Sequence, residues 1–202
     1  LSCCAKKFIE AVKPDIIAVT VPENGEAQAK EALFKDSFVK ESICKTELLF
    51  IQGGKTRQQS IYNALNALSK LSLPPKIVLI HDGARPFVSV KIIQETLQAV
   101  KEFNAAVPAV TPVDTQKLID ENNFITRHLK RSSMAAVQTP QGFMFNELFE
   151  AHKKALLDKA KEMLSYSPTG VNNHMLHFSV VEDIEIMDKI RNRVKETIIN
   201  LV

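Results

Sequence analysis

Three times in succession, a short apolar run rich in branched residues is followed by a stretch with helical spacing, and this alternation limits the fold most. Asp15-Ile-Ile-Ala-Val-Thr-Val21 precedes a helical segment at about 25–33. Glu47-Leu-Leu-Phe-Ile51 precedes one starting near Arg57, with Ile61, Ala64, Leu65 and Leu68 at i, i+3, i+4 and i+7. Lys76-Ile-Val-Leu-Ile80, bounded upstream by Pro74-Pro75, precedes one at about 89–102. Runs this short and this rich in Val and Ile suit strands buried on both faces, which need helices to cover them. The expected class is therefore α/β, a Rossmann-like, mainly parallel sheet flanked by helices. Ala105-Ala-Val-Pro-Ala-Val110 is a fourth strand, with Pro108 and Pro112 suggesting an edge or an irregular exit. Residues 113–138 break the rhythm with short extended pieces around a turn at Asp120-Glu-Asn-Asn123, as a projecting β-arm would. A lone hairpin is only marginally stable in water, so an exposed arm calls for a partner. Helices are expected again at about 145–163 and 182–199.

The chain opens with apolar residues at Leu1, Ala5, Phe8, Ile9 and Val12, the spacing of an amphipathic helix, with no initiator Met and no strand before it. A sheet built without a first strand would expose an edge, so a segment upstream of the given chain is expected. The 202 residues otherwise favour one domain.

Ligands of open α/β sheets bind outside the carboxyl ends of the strands, and the polar residues cluster there. After the strand at 76–80 comes His81-Asp-Gly-Ala-Arg-Pro-Phe87. Asp82 is suited to hold a divalent cation and Arg85 a phosphate, which is the equipment for phosphoryl or nucleotidyl transfer. A structural Asp–Arg ion pair is the plain alternative. Gly53-Gly54-Lys55-Thr-Arg57-Gln-Gln-Ser60 joins a strand to a helix. Its glycines let backbone approach a ligand, the helix start offers free N–H groups, and Ser60 is placed to bond a base or ribose. A simple strand–helix turn would look much the same. The spacing is that of neither a P-loop nor G-x-G-x-x-G. Val113-Asp114-Thr115 with Lys117 follows the fourth strand, and Lys130-Arg131 precedes Gln138-Thr139-Pro-Gln-Gly-Phe143. Thr139, held extended before a proline, has a fixed hydroxyl direction.

Composition excludes other classes. A net charge of +3 with scattered lysines and arginines argues for small anionic substrates rather than nucleic acid. No apolar run approaches the ~20 residues of a membrane span. Three cysteines, two of them adjacent, do not make a disulfide framework, so a reducing cytoplasm is expected. The five histidines show no zinc-type pairing, and the cysteines show no thiol-catalysis constellation.

Taken in order, Gly53–Ser60, His81–Pro86, Val113–Thr115 with Lys117, and Gln138–Phe143 closely resemble the 2-C-methyl-D-erythritol 4-phosphate cytidylyltransferases of the non-mevalonate isoprenoid pathway. The resemblance runs from residue 1 to about 155. It implies transfer of CMP from CTP to methylerythritol phosphate with Mg²⁺, in a cytoplasmic homodimer. By position, Gly54, Lys55 and Ser60 look like the cytosine-reading segment, and Arg57 an arginine supporting it. Asp82 matches the aspartate near ribose, metal and acceptor, Gly83 a backbone contact, and Arg85 a phosphate ligand. Thr115, Arg131 and Thr139 match sugar-phosphate contacts, with Thr115 and Arg131 expected to enter the twin subunit's site. The family's initial strand and Gly-rich loop are not in this sequence, nor is its Thr-Asp-Asp/Glu segment, and His177 stands where a second catalytic lysine is expected. Segments missing from the given chain, with the breaks closed up, are expected to account for these departures, a defective or divergent homologue being the alternative. The ribitol-5-phosphate cytidylyltransferases share part of the pattern, and a non-catalytic dimeric CTP-binding homologue is the alternative from another class.

Overall fold

A computed structural model describes residues 1–43, 46–165 and 198–200. Helices α1 (Ser2–Val12), α2 (Glu26–Phe34), α3 (Ser37–Ser42), α4 (Arg57–Leu68), α5 (Val90–Phe103) and α6 (Phe145–Ser165) alternate with strands β1 (Ile16–Val21), β2 (Glu47–Gln52), β3 (Ile77–Ile80) and β4 (Ala105–Val110). The short strands β5 (Lys117–Ile119), β6 (Ile125–His128), β7 (Ala136–Val137) and β8 (Gln141–Met144) follow β4, and β9 (Ile198–Asn200) comes last. Each strand of the alternating part and each long helix falls within a residue or two of its expected place.

β1 and β2 pair in parallel with no slip, Ile16 opposite Glu47 through Val21 opposite Gln52. β9 lies parallel to β4, whereas β8 runs antiparallel between β3 and β4. The reason is local. Residues 136–144 return from the β5–β6 hairpin alongside β4, with no crossover helix to reverse them, so they can pair only antiparallel. β7 takes the far end of β4, and the Gln138 N–H donates to the Pro108 carbonyl at 2.8 Å. The run then breaks at the cis Thr139-Pro140 bond before resuming as β8. The residues Gln141–Met144 were not read as a strand from sequence, and neither was α3 as a helix. The helix expected at 182–199 lies outside the described residues except at its end, where Ile198–Asn200 is strand rather than helix. His177 also lies outside them.

Among the described residues the hydrogen-bonded ladders are the β1–β2 pair, the β3-β8-β4-β7 sheet with β9 on β4, and the β5–β6 hairpin, and side-chain alternation packs layers on both faces of the strands. Ile16 and Ala18 of β1, Leu49 of β2, and Val78 and Ile80 of β3 face Leu65 and Leu68 of α4 and Phe145, Leu148 and Phe149 of α6. The Phe145 and Phe149 rings stack at 5.8 Å. On the opposite face, Ile17, Val19 and Leu48 meet Ala5 and Ile9 of α1, Leu33 of α2 and Val39 of α3. Further along, Ala99 and Val100 of α5 pack on Ala106, Ile77 and Met144. Burying a side chain such as Phe145 or Leu33 contributes roughly 1.5–3 kcal/mol, so these two layers supply the main driving force. α5 approaches β8 so closely that a Cβ on Gly142 would stand 2.5 Å from Val100 Cγ2 and 2.9 Å from Leu79 Cδ2. Only glycine fits there. Side-chain caps set the helix starts that matter for function: Thr56 accepts from the Gln59 N–H at 3.1 Å, and Ser89 from the Ile92 N–H at 3.2 Å.

Candidate functional site

Two strand ends and one helix start meet at the candidate site. β2 ends at Gln52, Gly53 and Gly54 turn the chain, and Thr56 caps α4, so Arg57 becomes its first residue. The turn is held from within. Ser60 Oγ accepts the Gly54 N–H at 3.0 Å and donates to the Thr56 carbonyl at 3.0 Å, while the Lys55 N–H donates to Gln59 Oε1 at 3.0 Å. A Cβ at Gly54 would collide with the Gln59 side chain, so a larger residue would force this turn open. Beside the turn lies a cleft of about 610 Å³ lined by Thr20, Val21, Gln52, Gly53, Gly54, Lys55 and Ser60 among others. The Ser60 hydroxyl, expected from sequence to bond a base or ribose, also shapes the cleft wall through these two bonds.

The second strand end is that of β3. Asp82 follows it and stands between two guanidinium groups: Arg57 Nε lies 3.3 Å from Oδ1 and Arg85 Nε 3.3 Å from Oδ2. Arg57 also reaches Gln141 Oε1 at 3.3 Å through Nη2. Sequence reasoning did not single out Gln141. Its signal was topological: in the antiparallel ladder it sits directly opposite Ile80, two residues before Asp82. Asp82, Arg57 and Arg85 remain partly open to solvent, so the three form an exchangeable charged cluster rather than a sealed ion pair. Two guanidinium groups thus converge on one carboxylate at the strand end.

Thr139 is buried beneath this cluster. Its Oγ1 lies 2.9 Å from His81 Nδ1 and 3.5 Å from the Asp82 N–H. His81 Nε2 lies 3.0 Å from the Arg85 carbonyl, and the Phe8 ring of α1 packs against the imidazole at 5.3 Å. Burial pushes the His81 pKa below its ordinary value of 6.5, outweighing the bond to the Arg85 carbonyl and the Asp82 charge, which pull it up. Cys4, also on α1, directs its thiol at the carbonyls of Gly83 (3.7 Å) and Arg85 (3.8 Å), and burial raises its pKa above 9.0. Neither His81 nor Cys4 received a role from the sequence. Gly83 itself is exposed, with open space where a Cβ would stand.

The expected site residues therefore fall into two groups. Gly54, Lys55, Ser60, Arg57, Asp82, Gly83, Arg85 and Thr139 occupy the turns and helix start at the ends of β2 and β3 and before β8. Thr115 and Arg131 lie apart from them at the root of the β5–β6 hairpin, where Arg131 Nη2 donates to Thr115 Oγ1 at 3.4 Å. Both are exposed. Lys117 Nζ contacts His128 Nδ1 across the hairpin at 2.6 Å. Among the described residues no group of three or more His, Cys, Asp or Glu side chains could enclose a metal ion. Among the described residues, Asp82 is the carboxylate at this strand end that a metal could use. That suits a magnesium ion which takes most of its ligands from substrate phosphates and water.

Comparison with known proteins follows this geometry. The profile of the family described as 2-C-methyl-D-erythritol 4-phosphate cytidylyltransferase matches residues 6–167. The enzyme of that name from Clostridium beijerinckii is 45% identical over 150 residues, covering 74% of this chain and 62% of the relative. The chain therefore spans less than two thirds of that relative's length. Among solved structures, 4-diphosphocytidyl-2C-methyl-D-erythritol synthase from Anaerococcus prevotii superposes with a TM-score of 0.69 at 21% identity, over 99% of this chain and 74% of that one. The 2-C-methyl-D-erythritol 4-phosphate cytidylyltransferase of Thermus thermophilus does so with 0.53 at 26% identity, over 94% and 87%. These superpositions agree with the α/β sheet and flanking helices described above.

Proposed function

The chain belongs to the 2-C-methyl-D-erythritol 4-phosphate cytidylyltransferase family, and from this we propose that its protein transfers CMP from CTP to 2-C-methyl-D-erythritol 4-phosphate. The products are 4-diphosphocytidyl-2-C-methyl-D-erythritol and pyrophosphate. The observation that carries the reading is the convergence of Arg57 and Arg85 on Asp82 beside the Gly53–Ser60 cleft. Two anionic reactants need just such a gathering of cations, set where a nucleotide base and its phosphates can lie along the strand ends.

In the reaction, an oxygen of the acceptor phosphate attacks the α-phosphorus of CTP. The bond from that phosphorus to the bridging oxygen breaks, and pyrophosphate departs with the electron pair. The phosphate nucleophile is already ionised near neutral pH, so no general base is required, and alignment and charge neutralisation dominate. Gly54 and Lys55 border the cleft for the base, Arg57 braces Asp82, and Gly83 leaves open room for backbone contact with the nucleotide. Arg85 grips the acceptor phosphate, with Thr139 beneath it. Magnesium would be held by Asp82 together with substrate oxygens and would offset triphosphate charge when bound. Thr115, Lys117 and Arg131 lie on an arm whose Leu118, Ile119, Phe124 and Ile125 are exposed, which supports a homodimer in which the arm serves the twin's site. A single domain in a reducing cytoplasm completes the reading.

The test is pyrophosphate release by the intact protein from CTP plus methylerythritol phosphate, with ribitol 5-phosphate assayed in parallel. Release with the first acceptor is expected. Preference for the second would reassign the substrate, and CTP binding without release would mark a non-catalytic homologue.

A further inference from the structure

The loop bearing Asp82 and Arg85 is short, solvent-facing and free of regular structure, yet it must aim two charged side chains. Its one internal backbone bond runs from the Arg85 N–H to the Asp82 carbonyl at 2.9 Å. Its other backbone anchors are the Cys4 thiol, the Thr139 hydroxyl and the His81 ring, and of these the His81 ring ties Arg85 to Thr139. A carbonyl can only accept, so the 3.0 Å contact with the Arg85 carbonyl requires a hydrogen on Nε2. In the neutral ring Nδ1 is then an acceptor, and the Thr139 hydroxyl 2.9 Å away must donate to it. That hydroxyl has one hydrogen, so its remaining lone pairs face the Asp82 N–H at 3.5 Å. Phe8 backs the imidazole at 5.3 Å, and the Cys4 thiol meets the same Arg85 carbonyl at 3.8 Å, so α1 closes the arrangement from behind.

We propose that His81 is a positioning residue. As the Nε2-protonated tautomer it clamps the Arg85 backbone to Thr139 of the β7–β8 turn, and so directs the Asp82 and Arg85 side chains to the same side of the loop. The direction of every hydrogen bond in the clamp is fixed by this tautomer. Thr139 becomes a pure acceptor toward the Asp82 backbone and toward anything else that approaches it. This inference rests on the proposed transferase reading for its kinetic consequence, but not for its geometry.

Two measurements on the intact protein test it. Nitrogen-15 NMR of the histidine side chains at neutral pH, with His81→Asn used to assign the signal, is expected to show Nε2 protonated and Nδ1 bare. Thr139→Val, which keeps the shape and removes the hydroxyl, should shift the Nδ1 resonance, and Thr139→Ser should restore it. A ring protonated at Nδ1, or one insensitive to Thr139→Val, overturns the proposal. In the transferase assay, His81→Phe is expected to lower kcat/KM for the acceptor by ~10–100-fold while the KM for CTP changes less than ~3-fold, through the loss of two hydrogen bonds that aim the loop. His81→Gln, whose amide can still donate to the Arg85 carbonyl, should recover part of that loss. A His81→Gln enzyme no better than His81→Phe, or equal loss toward CTP and acceptor, counts against the clamp. A protein that releases no pyrophosphate at all would sink the transferase reading instead, and the tautomer would still decide this one.

Discussion

Arg57 and Asp82 meet at 3.3 Å across twenty-five positions of sequence, one opening α4 and the other following β3. The contact joins the turn that walls the cleft to the loop that carries the charged cluster. Because both partners are partly exposed, it should stabilise the fold by only about 0.2–1 kcal/mol. Its value lies in alignment. Arg57→Ala is therefore expected to leave the melting temperature within a few degrees of wild type while lowering kcat/KM for CTP by ~10-fold or more. Calorimetry and steady-state kinetics on one preparation would show the split, and a parallel collapse of both would mark Arg57 as structural.

In the proposed function Arg85, at the strand end, and Arg131, beside the β5–β6 hairpin, hold the acceptor phosphate. Replacing either with alanine should weaken acceptor binding by about two orders of magnitude, the scale of a lost charge-assisted pair, and leave CTP binding nearly intact. Titration of each ligand separately checks this. Mixing the Arg85→Ala and Arg131→Ala proteins adds a sharper reading, since an arm that serves its twin would rebuild one intact site in each mixed dimer and recover activity. No recovery on mixing would place Arg131 in its own subunit's site or in none.

Much of this was legible in the sequence, and the rest was hidden for physical reasons. Strands such as Ile16–Val21 announce themselves because burial on both faces demands an unbroken branched run. The core face of α4 is equally plain from the spacing of Ile61, Leu65 and Leu68. β8 was missed because Gln141-Gly-Phe-Met144 has neither alternation nor branching; it is a strand only because β3 and β4 hydrogen-bond it on both sides. For the same reason Gln141 carried no signal as a partner of Arg57. Asp82 and Arg85 stood out by residue type at a strand end. His81 and Cys4 did not, since their importance comes from α1 folding back over the loop, a contact seventy-nine positions apart for the Cys4–Gly83 pair.

The two glycines at Gly142 and Gly83 should respond oppositely to alanine. A methyl at Gly142 drives into Val100 and Leu79, where α5 cannot withdraw without losing the packing of Val100 and Ala99. Gly142→Ala should cost about 1–3 kcal/mol, the usual scale of an overpacked core. Gly83→Ala meets nothing within 4 Å and should unfold at the wild-type denaturant midpoint. Urea titrations would separate them, and a Gly83→Ala protein as unstable as Gly142→Ala would contradict the open loop.

Cys3 and Cys4 are adjacent in the chain but face different surroundings. Cys3 is exposed, while Cys4 is buried against the Gly83 and Arg85 carbonyls. Thiol reagents attack the thiolate, and burial raises the Cys4 pKa above 9.0 while blocking access. Native labelling followed by peptide mapping should thus modify Cys3 first, by a rate factor of ~10 or more. The raised pKa also sets a pH dependence. Below the ordinary thiol pKa both folded and unfolded chains keep the proton, so Cys4 contributes nothing to it. Above that value the unfolded thiol ionises and the folded one does not, so stability falls as pH rises. Cys4→Ala should accordingly lose stability at neutral pH through lost packing, yet show a shallower decline than wild type between pH 8 and 10. Parallel slopes for the two proteins across that range would mean that the thiol is not held in its protonated form by the fold.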